Sequence, residues 1–80
     1  MKIQVINFLG WLGVLIIISA YFLVTFTLVD PQSVLYLILN LIGSLLIVTE
    51  TFSKRDFQPG ILNIVWALIA LVGLARIVFF

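Results

Sequence analysis

Two polar interruptions divide an otherwise apolar chain. The first is Asp30-Pro31-Gln32-Ser33; the second runs from Glu50 to Gly60 and carries Lys54, Arg55, Asp56, Gln58 and Pro59. They leave three apolar stretches, at residues 5–29, 34–49 and 60–79. At roughly 1.5 Å per helical residue, about 20 residues cross a hydrocarbon layer of ~30 Å. The outer two stretches reach that length, and the middle one does so by borrowing Glu50 and Thr51. None alternates with a period of two, which excludes a membrane barrel. Helices are the remaining way to satisfy the backbone in hydrocarbon. The pattern therefore predicts an all-α membrane protein, a bundle of three transmembrane helices at about 5–29, 34–51 and 60–79. Residues 1–80 form one transmembrane domain on this reading.

The punctuation fits these limits. Asp30 is placed to cap the second helix with Pro31 at its first position, where a missing N–H costs nothing. Pro59 is placed to do the same for the third. A connection of about four residues makes the first two helices antiparallel neighbours. The start of the chain, Lys2 before an apolar run with Ser19 and Ala20 further on, has some likeness to a signal peptide. The apolar stretch continues to Val29, however, so a retained helix is expected.

Helical periodicity sorts the faces. On a wheel of about 100° per residue, Asn7, Gly10, Gly13, Ile17, Ala20 and Tyr21 share one side of the first helix. Tyr36, Asn40, Gly43, Ser44, Ile47 and Glu50 share a side of the second. Asn63, Ala67, Ala70 and Leu74 share a side of the third, flanked by Trp66 and Gly73. Each helix thus carries a stripe of small and polar residues, with Leu, Ile, Val and Phe elsewhere. Such stripes are where membrane helices meet each other. Packing alone accounts for them if Gly10, Gly13, Gly43, Ala67 and Ala70 let the backbones approach. The sharper reading makes Tyr21, Tyr36, Asn40, Asn63 and Trp66 the lining of a solute site, since Asn is costly in hydrocarbon unless paired.

Composition then narrows the chemistry. Hydrophobic residues make up 65% of the chain and charged ones 9%, against about 25% charged in a soluble domain. A net charge of +1 gives no reason to expect nucleic-acid binding. With no Cys and no His, disulfides, thiol chemistry and the usual zinc sites are excluded. No carboxylate pair lies within one span, and no glycine-rich phosphate loop is present. The chain is expected to be no enzyme and to hold no cofactor or metal.

The few charges set orientation and local pairing. Lys2, Lys54 and Arg55 fall on one side of the membrane and Arg76 on the other, which favours a cytoplasmic amino terminus. Glu50 is one turn from Lys54 and is expected to pair with it at the interface, a proton-coupling carboxylate being the alternative. Arg76 is expected to snorkel to headgroups or to meet Asp30. Trp11, Phe57, Phe79 and Phe80 suit aromatic belts.

The strings Asn7-Phe8-Leu9-Gly10-Trp11-Leu12-Gly13, Ala20-Tyr21, Leu39-Asn40-Leu41-Ile42-Gly43 and Leu62-Asn63-Ile64-Val65-Trp66-Ala67-Leu68-Ile69-Ala70 form a set. Together they resemble a family of small bacterial three-helix membrane proteins without an assigned function, the CBU-type domain. The resemblance covers nearly the whole chain and implies a multi-pass protein of the bacterial inner membrane. A second likeness is to the SemiSWEET and PQ-loop half-transporters, three-helix units that work as homodimers. Pro59 with Asn63 is similar to the proline and binding-site asparagine of that group's third helix, and Trp66 is similar to its aromatic wall. The chain departs from the group in three ways. Pro31 falls in the connection, the basic residues are on the other side, and the short first connection disfavours a third helix lying between the first two.

Two functions are therefore carried forward. One is a structural or accessory role, as a homo-oligomer (a dimer is favoured) or a subunit packed on a larger membrane protein. The other is a homodimeric half-transporter for a small neutral solute. A phage-type holin is disfavoured, because such proteins resemble one another in a basic tail and this chain ends Ile77-Val78-Phe79-Phe80.

Overall fold

The computed structural model describes residues 2–80. It contains α1 (Ile3–Thr25), α2 (Val34–Ser53) and α3 (Phe57–Phe79), with no strand among the described residues. All three helices are long and apolar enough to cross a membrane, with mean hydropathies of 2.2, 1.9 and 2.3 in their most apolar windows. Only 17%, 22% and 11% of those windows is buried within the bundle. The buried apolar side chains are Ile6, Ala20, Ala67 and Ala70, while Leu, Ile, Val and Phe cover the outside. A core of alanines and glycines offers little hydrophobic free energy in water. This surface is stable only where lipid solvates it.

The helix limits shift from those the hydrophobic pattern implies: α1 and α3 start earlier, α1 ends earlier and α2 ends later. α1 stops at Thr25 rather than at residue 29, because the chain closes it with a Schellman turn. Leu28 N–H donates to Leu23 O at 2.9 Å and Thr27 N–H to Val24 O at 3.0 Å, with Thr27 at φ 56°. The residue before a proline disfavours helical backbone. The chain must therefore leave the helix ahead of Asp30-Pro31, and Phe26 to Val29 form the turn although they are apolar. α2 closes in the same way. Asp56 N–H donates to Thr51 O at 2.8 Å and Arg55 N–H to Phe52 O at 3.1 Å, with Arg55 at φ 56°. α2 thus runs to Ser53, two residues past the expected limit.

The cap of α2 is also a correction. Ser33, not Asp30, precedes the helix, and its hydroxyl accepts from Tyr36 N–H at 3.2 Å. Asp30 instead holds the turn: its carboxylate accepts from Gln32 N–H at 2.7 Å and its carbonyl from Ser33 N–H at 3.0 Å. Pro31 therefore belongs to the turn and not to the first position of α2. α3 begins at Phe57, so Pro59 is its third residue rather than its first. It is tolerated there because the first four N–H groups of a helix lack intrahelical partners. No ion pair joins Arg76 to Asp30 among the described residues; the pair formed is Lys54–Glu50, at 2.8 Å.

α2 is the central helix. It packs against both α1 and α3, and no Cα of α1 comes within 8 Å of one in α3. The contacts explain why. Gly43, Leu46, Ile47 and Glu50 lie against α1, whereas Leu37, Thr51 and Phe52 lie against α3. On the helical wheel these two sets are about 135° apart. The outer helices therefore diverge from α2 like the arms of a V, with the row through Tyr36 and Asn40 looking into the crevice between them.

Candidate functional site

The crevice is built around Asn40 with Tyr21, Tyr36 and Trp66. Asn40 sits near the middle of α2 and is 5% exposed. Its amide donates to Tyr36 O at 2.8 Å, and its carbonyl accepts from Trp66 Nε1 at 3.0 Å. The Asn40–Trp66 bond is the side chain to side chain hydrogen bond that joins two helices, and it satisfies both faces of a buried amide. Trp66 itself remains 46% exposed. Its ring forms one wall of a hollow of about 300 Å³, with Asn40 and Tyr36 behind and Ile17, Ile18 and Tyr21 of α1 opposite. A second hollow of about 220 Å³ lies on the α3 side, against Leu37, Ile69 and Ala70.

Four of the five residues expected to line a solute site, Tyr21, Tyr36, Asn40 and Trp66, thus meet in one place. Asn63 does not join them. Its amide donates to Pro59 O at 2.8 Å, within its own helix, and it lies outside the lining of either hollow. The pairing is the same i to i−4 bond to a backbone carbonyl that Asn40 makes with Tyr36 O. The residue at 63 is one turn beyond Pro59, so Pro59 O is within reach of its side chain.

The small residues occupy the two seams beside the crevice. Gly10, Gly13 and Gly43 are buried between α1 and α2, and Ala67 and Ala70 on the face of α3 turned inward. A Cβ added at Gly13 would stand 2.7 Å from Gly43 O, so the two backbones touch there. One at Gly10 would meet Glu50 Cγ at 2.6 Å. Two further members of the seams escape the periodic reading. Thr51 is buried against α3, its hydroxyl donating to Ile47 O at 2.8 Å, and Gly60 lies beside it with Phe52 across its face. Both fall at helix ends beside the polar interruption and are not among the residues expected at the seams. Ser44 is fully buried and its Oγ has no hydrogen-bond partner.

A family profile matches residues 6–79, which takes in all of α2 and α3 and α1 from Ile6 onward. The chain belongs to this family. Its function is uncharacterised, so membership supports a small three-helix membrane protein and brings no activity with it. No curated protein and no solved structure matches the chain.

Proposed function

We propose that this protein works by association within the bilayer rather than by catalysis. It is a self-associating helical bundle whose unit is a dimer, or a small subunit held by the same face against a larger membrane protein. One observation carries the reading. α1 and α3 do not meet, so the crevice walled by Tyr21, Tyr36 and Trp66 is left for something outside the chain to fill. Aromatic and amide groups at such a surface favour protein over lipid tails as neighbour. The three basic residues at one end, Lys2, Lys54 and Arg55, support a cytoplasmic amino terminus, and the resemblance to a bacterial family makes the inner membrane the proposed location. Native mass spectrometry of the protein released from nanodiscs tests this. A single dimer peak is expected; monomers, or a spread of sizes, would remove self-association and leave the larger partner.

The half-transporter reading keeps one point in its favour: four of the candidate lining residues share the crevice. The helix order speaks against it, because α2 rather than α3 is central. Solute flux into proteoliposomes that falls on Asn40→Leu would restore it, and absent flux for sugars and other small neutral solutes would end it.

A further inference from the structure

The end of the molecule opposite the crevice carries a different hollow. It has a volume of about 320 Å³ and lies between α1 and α2, lined by Asn7, Gly10, Trp11, Val14, Glu50 and Lys54. The hollow exists because Gly10 has no side chain and the Glu50 chain lies across it instead. Glu50 stays 23% exposed at its side chain while paired with Lys54. Trp11 is exposed and stands alongside.

Depth decides what this hollow faces. Glu50 is three residues from the last residue of α2, and Asn7 and Gly10 are four and seven residues into α1. At roughly 1.5 Å per residue, the hollow begins a few ångströms below the end of the helices and descends to about 16 Å at Val14. Its mouth is at the boundary between headgroups and acyl chains and its floor is among the acyl chains. Its lining changes in step with that depth: Lys54 and Asn7 at the mouth, Glu50 below them at the level of Gly10, and Trp11 with Val14 toward the hydrocarbon.

We propose that this hollow is a lipid site, and that it selects phospholipids bearing a primary ammonium, as an ethanolamine headgroup does. The neighbouring carboxylate and ammonium of Glu50 and Lys54 are the mirror of a zwitterion. A headgroup ammonium meets Glu50 and the face of Trp11, and its phosphate meets Lys54. The Asn7 amide stands at the mouth beside Lys54, on the phosphate side, and the acyl methylenes follow Val14. A choline headgroup has no N–H to donate to Glu50. An anionic glycerol headgroup brings its charge to the carboxylate without any compensating cation. Both are therefore disfavoured relative to ethanolamine. The site is at the opposite end of the bundle from the crevice, so it does not depend on how copies associate.

The test is lipid retention from nanodiscs containing equal parts of phosphatidylethanolamine, phosphatidylcholine and phosphatidylglycerol with matched chains. Native mass spectrometry of the whole protein reads which lipids stay bound. The expected result is enrichment of the ethanolamine lipid by about fivefold over the other two, the scale of one partly exposed ion pair. Glu50→Gln loses the preference, Glu50→Asp keeps it, and Trp11→Ala, at an exposed position, weakens it. Retention in bulk proportions, enrichment of the glycerol lipid, or an unchanged preference in both Glu50→Gln and Trp11→Ala would overturn the proposal.

Discussion

α2 meets its two neighbours through seams of different kinds. Against α1 it is backbone on backbone, with Gly13 and Gly43 so close that either Cβ would collide with the other helix. Against α3 it is side chain on side chain: Leu37 covers Gly73, Phe52 covers Gly60, and Trp66 reaches back to Asn40. Close backbone approach gains dispersion contacts over a long line and tolerates no added atom. Side chains that can turn leave more latitude. The α1 seam should therefore be brittle and the α3 seam compliant, and stability measured in bicelles separates the two.

The largest effect is expected at the brittle seam. Gly13→Ala forces a Cβ to 2.7 Å from Gly43 O, and backbone cannot rotate away. A loss of about 2 kcal/mol is expected, the range found for overpacked sites. A loss below half of that would mean α1 is free to shift along α2.

Ser44 tests the side of α2 turned to α3. Its hydroxyl is buried without a partner, and a group left in that state costs ~1 kcal/mol or more. Ser44→Ala should stabilise the bundle by about 1 kcal/mol. A loss instead would show that the hydroxyl finds a partner in the folded protein.

The Asn40–Trp66 bond contributes less. A double-mutant cycle of Asn40→Leu with Trp66→Phe should give a coupling of about 0.6 kcal/mol, the average for hydrogen bonds between membrane helices. Asn63→Leu should show no coupling to Trp66, because its amide is spent on Pro59 O. The smallest change belongs to Gly73→Ala. The new Cβ meets the two methyl groups of Leu37 at 3.1 Å, and that side chain can move aside. A change within about 0.5 kcal/mol is expected, in contrast to the same substitution at Gly13.

The faces of the helices were legible in the sequence because packing in lipid selects small residues at helical spacing. Gly10, Gly13, Gly43, Ala67 and Ala70 all carry that signal, and all five lie buried at the seams. The ends of the helices were not legible from hydropathy. Phe26 and Leu28 are apolar because they lie at the membrane, and a Schellman turn closed by Thr27 looks like continuing helix. A glycine at that position would have marked the stop. Likewise, a wheel shows which face is buried but not which helix covers it. The placement of α2 between its neighbours depended on two contact sets diverging around its axis, and Thr51 and Gly60 supply part of one of them. Asn63 shows the opposite case, a polar residue at the right spacing whose partner lies in its own helix.

The account stands on the crevice being a contact surface between copies. The chain contains no cysteine, so one introduced thiol reports on one position. Tyr21→Cys places it at the crevice, and Leu45→Cys places it on the exposed outer face of α2, about 140° from Asn40 on the wheel. Oxidation in native membranes should cross-link Tyr21→Cys into a dimer and leave Leu45→Cys monomeric. Cross-linking at Leu45→Cys without any at Tyr21→Cys would put the contact on the wrong side of the molecule and contradict the account.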